Sequence, residues 1–291
     1  MPQINNSRNG IRKHKTLVII KNMNKKVVIT GTNGFIGSNL REELKSKYQI
    51  VEINEDLLES SDWTEKIQDF FKEDISVVFH VGACSDTLEQ DVNYMMAVNY
   101  EFTHLLSDLC SSNGIPLIYS SSAANYGTNG KYPSNLYGWS KYAAENYVIS
   151  KGGIALRYFN VYGPGEHNKG RMASVAYQMD QKFRSGDGIN LFPGKPTRDF
   201  VYVKDVVSAN VYALEDYSSL RGSYYEVGSG ESRPFEDVLG SLGIPFTYYP
   251  EESIPEGYQF FTMSDSTKWM PGWSPEWNLE RGLSDYFSRD I

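Results

Sequence analysis

Cysteine is scarce in this chain of 291 residues. Only Cys84 and Cys110 are present, so no disulfide framework staples the fold, and two thiols fit a reducing, cytoplasmic setting. Histidine is scarce too. His14, His80, His104 and His167 lack the close spacing of metal ligands, and no metal site is expected. Basic residues number 28 against 36 acidic ones, a net charge of −8. That balance argues against nucleic acid as a partner, although a few local cations can still hold a small anion. No run approaches the ~20 apolar residues of a membrane span. The basic N-terminus (Arg8, Arg12, Lys13, Lys15) leads only into Thr16 to Ile20, too short for a signal sequence. Residues 1–22 read as an extension without a buried face, expected to be mobile and dispensable, with Met23 as the natural start.

What is present is a core-forming composition, 40% hydrophobic, and an alternation of strand and helix patterns. Lys26 to Thr30 is a β-branched run, read as a buried parallel strand. Gly31-Thr32-Asn33-Gly34-Phe35-Ile36-Gly37 follows, then a helical pattern over Ser38 to Lys45. Glycines between a strand and a helix let backbone approach a pyrophosphate at the helix N-terminus. The second strand, Gln49 to Ile53, ends in Asn54-Glu55-Asp56. A dinucleotide fold sets an acid here for the ribose hydroxyl. Asn54 holds that place, with Asp56 in reach of the adenine side. An amide repels a 2′-phosphate less than an acid does, so NADP is favoured and NAD is not excluded.

The strand Val77 to His80 opens into Val81-Gly82-Ala83-Cys84-Ser85, small residues that let a cofactor pass close by. Asn93 to Ser112 reads as one long helix carrying Asn99. Pro116 to Ser120 is a strand ending in a serine cluster, in which a hydroxyl such as that of Ser122 can bond a substrate oxygen. The helix Leu136 to Ser150 carries Tyr137 and Lys141, one turn apart on one face. An ammonium near a phenol favours the phenolate, which would let the tyrosine exchange protons near neutral pH. The spacing alone decides nothing, because with 21 tyrosines a second pair occurs at Tyr147 and Lys151. That pair lacks the preceding serine strand and reads as a solvated helix end.

Later elements are a strand from Gly153 to Tyr158, a loop from Asn160 into a helix ending near Arg184, and Asp199 to Val203 before a helix from Asp205. Tyr224 to Val227 is a last buried strand, with helices near Pro234 to Leu242 and Asn278 to Phe287. The pattern predicts an α/β fold: a doubly wound parallel Rossmann sheet with a smaller C-terminal substrate-binding lobe. Residues 23–165 would form the dinucleotide-binding domain, to which the chain returns at about 199–228, and 166–291 the lobe. The substrate is expected in the cleft between them.

At these residues the chain resembles the extended short-chain dehydrogenase/reductase superfamily. The carriers are Gly31-xx-Gly34-xx-Gly37, the Ser122, Tyr137 and Lys141 triad, and Arg198-Asp199-Phe200-Val201-Tyr202-Val203-x-Asp205. Further runs are similar to the ADP-L-glycero-D-manno-heptose 6-epimerase family. They are His80-x-Gly82-Ala83-Cys84-Ser85, Tyr94-Met95-Met96, Asn160-Val161-Tyr162-Gly163-Pro164, Lys169-Gly170-x-Met172-Ala173-Ser174-Val175-Ala176 and Tyr258-Gln259-x-Phe261-Thr262. The resemblance implies a nucleotide-sugar epimerase that oxidises carbon 6 and reduces it again from the other face, using tightly bound NADP, in lipopolysaccharide core biosynthesis. It implies that Tyr137 and Lys169 are the two acid/base groups, that Ser122 polarises the oxygen, and that Lys141 holds the nicotinamide ribose. Gly31, Asn33, Gly34, Phe35, Ile36, Gly37, Asn54, Asp56, Val81 to Ser85, Asn99 and Val161 would surround the cofactor. Asn160, Arg171, Gln178, Phe192, Gly194, Lys195, Arg198 and Tyr258 would line the nucleotide-sugar site, the fork of Arg198 suiting a diphosphate. A homo-oligomer is allowed.

Other readings stay open: another nucleotide-sugar epimerase, a dehydratase or a reductase of the superfamily. Ala123 and Ala124 after Ser122 disfavour a 4,6-dehydratase, which sets acids there. A non-catalytic dinucleotide sensor would be expected to have lost the tyrosine or the lysine, and this chain has both.

Overall fold

Lys26–Thr30 (β1) forms where the sequence predicts it, and its Val27, Val28 and Ile29 are fully buried. The computed structural model describes residues 25–58, 60–128, 130–255 and 258–287. The extension read at 1–22 and the start read at Met23 lie outside these described residues. Alternate side chains of β1 enter two different cores, as strand geometry requires. Val27 and Ile29 pack with Leu40, Leu44, Val206, Ala209 and Ala213. Val28 packs with Phe102, Leu106, Ala144 and Val148. Each such Val, Leu, Ile or Phe side chain contributes about 1.5–3 kcal/mol over an exposed one.

β1 thus sits between two helical layers in a six-stranded parallel sheet. Its companions are Gln49–Ile53 (β2), Ile75–His80 (β3), Leu117–Ser122 (β4), Ile154–Tyr158 (β5) and the later strand Ser223–Val227. The order is β2-β1-β3-β4-β5, then Ser223–Val227. The chain leaves β1 in one direction for β2 and returns on the other side for β3. That reversal opens a crevice at the carboxyl ends of β1 and β3, where open α/β sheets bind ligands.

A second, three-stranded sheet joins Asn160–Tyr162, Thr197–Tyr202 and Ser232–Pro234. The run read from Asp199 belongs here and not to the main sheet. Its core holds Tyr162, Phe200, Tyr202, Phe235, Leu239, Leu283 and Phe287, with Phe35 reaching in from the glycine loop. The helices Phe235–Leu242 and Leu279–Phe287 cover it.

The long helix read over Asn93 to Ser112 is a correction. It is broken into Val92–Met96, a π turn at Ala97–Glu101, and Phe102–Asn113. The wider turn aims the buried Asn99 at the loop after β3. Its amide takes the Cys84 N–H at 2.8 Å, donates to the Cys84 carbonyl at 3.0 Å, and reaches Ser140 Oγ at 2.9 Å. π turns of this kind recur beside functional sites. No helix among the described residues is long and apolar enough to cross a membrane.

Candidate active site

A cavity of about 790 Å³ occupies the crevice at the strand ends. Its floor begins at the glycine turn. Gly31 has φ +70°, and a Cβ on it would stand 2.5 Å from Gly82 Cα. A Cβ on Gly37 would stand 2.1 Å from the Gly31 carbonyl oxygen. Two backbones and one helix end therefore meet where no side chain fits. The helix Phe35–Leu44 starts at Gly34 with no side-chain cap and no acid in its first turn. Its first residues, Phe35 to Gly37, line the cavity, and an uncapped helix N-terminus at such a place suits a phosphate.

Gly31, Asn33, Gly34, Phe35, Ile36, Gly37, Asn54, Asp56, Val81, Gly82, Ala83, Cys84, Ser85 and Val161 all line this cavity, as do Ser122, Tyr137, Lys141, Lys169 and Arg171. The structure thus brings together both acid/base candidates and nearly the whole cofactor set. Asn99 stands behind the wall and braces Cys84 rather than facing the cavity. His80, also buried, bonds Thr30 Oγ1 and Thr103 Oγ1, both at 2.8 Å. Thr30 Oγ1 also takes the Gly82 N–H at 2.8 Å. Burial, with the nearby Lys141 ammonium, pushes the His80 pKa down to about 3, so it stays neutral.

Tyr137 sits in the first turn of its helix because Asn135 caps that turn, its side chain accepting the Gly138 N–H at 2.8 Å. The phenol is not lowered as the sequence led one to expect. Burial raises its pKa, and the Ser122 hydroxyl bonded to it acts the other way. Lys141 is not among the groups that offset this burial. Its ammonium is turned 4.5 Å over the Tyr119 ring and is itself buried, at 3% exposure. Burial pushes its pKa from the ordinary 10.5 down to about 7, against the opposing pull of Glu145 and Cys84.

That shift has a consequence for stability. Between about 7 and 10.5 the unfolded chain holds the lysine proton and the folded one has released it. Stability should therefore rise with pH across that window. In Lys141→Met, chemical unfolding at a series of pH values should show this rise removed. A rise that persists would refute the assignment to Lys141.

Lys169 lies in the loop after Asn160–Tyr162. Its ammonium is 5.4 Å from the centre of the Phe35 ring, and burial lowers its pKa while Glu166 raises it. Arg171 pairs with Asp86 at 2.6 Å, and both line the cavity.

The rest of the substrate set is not in this cavity. Gln178 Nε2 donates to the Ala173 carbonyl at 2.7 Å, and Asn160 Oδ1 accepts from Thr262 at 3.1 Å. Phe192 and Tyr258 form a separate aromatic cluster with ring centres 5.2 Å apart. The Arg198 guanidinium lies 5.6 Å from the Tyr258 ring. Gly194 and Lys195 make an exposed turn beside them, both with positive φ. Sequence reading missed Asp86, Tyr94, Asn168 and Met172 as lining residues. Their only signal was membership of the runs quoted above or adjacency to them.

Comparison with known proteins gives concordant results. The model of the NAD dependent epimerase/dehydratase family matches residues 27–228. The chain is 34% identical, over 83% of its length and 91% of the relative's, to an ADP-L-glycero-D-manno-heptose-6-epimerase of Cupriavidus pinatubonensis. The crystal structure of the Helicobacter pylori ADP-L-glycero-D-manno-heptose-6-epimerase superposes with a TM-score of 0.79 at 26% identity, covering 91% of this chain and 96% of that one. A UDP-glucose 4-epimerase of Thermotoga maritima, solved with UDP-glucose, gives 0.78 at 24% identity over 91% and 99%, a likeness of fold alone.

Proposed function

The chain belongs to the NAD dependent epimerase/dehydratase family, and on that premise we propose that it inverts carbon 6 of an ADP-linked glycero-manno-heptose by transient oxidation and re-reduction. The observation that carries the proposal is the convergence of Tyr137 and Lys169 on one cavity. Two proton-exchanging groups let an epimerase serve both faces of the carbon it inverts, whereas a one-way reductase has use for one. The substrate named is that of the 34% identical relative.

A bound nicotinamide dinucleotide supplies the hydride acceptor and, in return, the hydride donor. Gly31, Gly34, Gly37 and the uncapped helix N-terminus would hold its pyrophosphate, and Gly82 to Ser85 its middle. Lys141 would hold its ribose. Asn54 Oδ1 already accepts from Thr32 Oγ1 at 3.1 Å and from the Asn33 N–H at 3.2 Å. With Oδ1 engaged, the N–H donors of the amide are what Asn54 would offer the 2′-phosphate of NADP.

On the sugar, the carbinol hydroxyl gives its proton to one of the two bases as the C–H bond yields hydride, leaving a ketone. Ser122 bonds the ketone oxygen. Rotation of the ketone presents its second face, and hydride returns while the other group protonates the oxygen. Atoms and electrons balance without added reductant.

The test uses the purified protein with either epimer and no added cofactor. Proton NMR should show both samples reaching one mixture, and mass spectrometry of denatured protein should show released NADP. No interconversion, together with inversion at carbon 4 of another nucleotide sugar, would sink the substrate assignment. Release of NAD alone would sink the choice of NADP.

A further inference from the structure

Away from the cavity lining, one buried carboxylate gathers an unusual set of partners. Glu145 is 1% exposed. It accepts from Ser121 Oγ at 2.6 Å, Asn125 Nδ2 at 3.0 Å, Arg157 Nε at 2.8 Å and Arg157 Nη2 at 2.5 Å. Arg157 is 6% exposed and lies against the Tyr224 ring, its guanidinium carbon 3.6 Å from the ring centre.

A buried ion pair need not add stability, since an apolar pair of equal volume often serves as well. The partners of this one are more informative than its charge. Ser121 precedes Ser122 on β4, and Asn125 follows it in the next turn. Glu145 itself lies one helical turn beyond Lys141 on the same face. Arg157 ties the cluster to β5, the next strand of the sheet. One carboxylate therefore grips both flanks of the Ser122 strand end and shares a helix face with Lys141. The elements around the Lys141 ammonium bring His80 from β3, Cys84 from the following loop and Tyr119 from β4. Glu145 is the carboxylate among these neighbours.

We propose that Glu145 is a positioning residue for the reaction: it fixes the Ser122 strand end beside the helix that carries Tyr137 and Lys141 and supplies a negative charge one helical turn from Lys141. The inference rests on the reading of Ser122 and Lys141 given above. The buried position of Lys141 favours loss of its proton, and Glu145 opposes that loss.

Glu145→Gln keeps the shape and removes the charge. Turnover at neutral pH should fall about tenfold with KM little changed, since orientation and charge act on the reacting state. The alkaline limb of the kcat profile should move down by about one to two pH units, the effect of removing one charge a turn away. Without substrate, the pH at which stability begins to rise should move down by the same amount. A variant that is merely less stable at every pH, with both midpoints unmoved, overturns the inference and leaves Glu145 a structural brace.

Should Glu145→Gln fail to fold because Arg157 is stranded, Glu145→Gln/Arg157→Met removes the pair together. Because the Arg157 cation leaves with it, a smaller displacement of the stability midpoint in the same direction is expected there, and an unmoved midpoint again overturns the inference. Tyr137→Phe separates the two levels of the argument. It should lower turnover by about 10²–10⁴-fold without moving the stability midpoint. If it stays active, the reading of the catalytic site fails, and this inference with it.

Discussion

Tyr137→Phe should lower turnover by about 10²–10⁴-fold, the usual contribution of a general acid/base group, and leave the fold and dinucleotide affinity intact. The ring stays in the first turn that Asn135 caps, so only the hydroxyl is lost. Burial raises the phenol pKa, so the neutral phenol is the resting form and is ready to donate a proton to a ketone oxygen. The Ser122 hydroxyl bonded to it is the group that eases the reverse transfer. Tyr147→Phe serves as the control. The Tyr147 hydroxyl donates to Asp108 at 2.8 Å, and Lys151 pairs with the same carboxylate at 2.7 Å. That pair lies far along the helix from the cavity lining, and its loss should leave turnover within about twofold, as for most surface changes. Steady-state kinetics with thermal unfolding distinguishes the outcomes. Near-normal turnover in folded Tyr137→Phe would remove the tyrosine from the mechanism.

The two Tyr-xxx-Lys pairs show what the sequence could and could not say. Local order separated them: a serine strand and a loop lead into Tyr137, and nothing comparable leads into Tyr147. The glycine turn was legible for the same reason, because strand, glycines and helix are contiguous. What escaped depends on partners far apart in the chain. Val92 to Asn113 carries an unbroken helical pattern, yet Asn99 breaks it by bonding the Cys84 backbone. The phenol and ammonium were expected to face one another, yet Lys141 turns to Tyr119 on β4. Nothing local in the sequence marks Glu145 and Arg157 as a buried ion pair. Beyond the main sheet, strands of two or three residues such as Asn160–Tyr162 and Ser232–Pro234 leave too little alternation to read.

Lys169→Met should abolish inversion while sparing chemistry on the tyrosine side. The lysine is held by an unusually determined loop. The Glu166 carboxylate, fully buried, accepts the Gly163 N–H at 3.0 Å and the Ser174 hydroxyl at 2.9 Å, and also bonds the Ser174 N–H. Those bonds close residues 163–174 into a ring, with Gly165 at φ +105° and Gly170 at φ +50° allowing the bends. Burial then lowers the Lys169 pKa below the ordinary 10.5, opposed by Glu166, so the free amine is easier to reach than on a solvated lysine. Methionine keeps most of the stem that packs near Phe35 and removes the proton carrier. With one acid/base group left, a ketone formed at Tyr137 has no proton partner on its second face. Either epimer incubated with Lys169→Met should remain itself, with interconversion at least about 10²-fold slower. The epimer whose hydroxyl meets Tyr137 should still yield slow, single-turnover formation of reduced nicotinamide, visible in the near-ultraviolet. The other epimer should yield none. Inversion at the wild-type rate would show that Tyr137, or water, serves both faces, and Lys169 would then be a cation placed for binding alone.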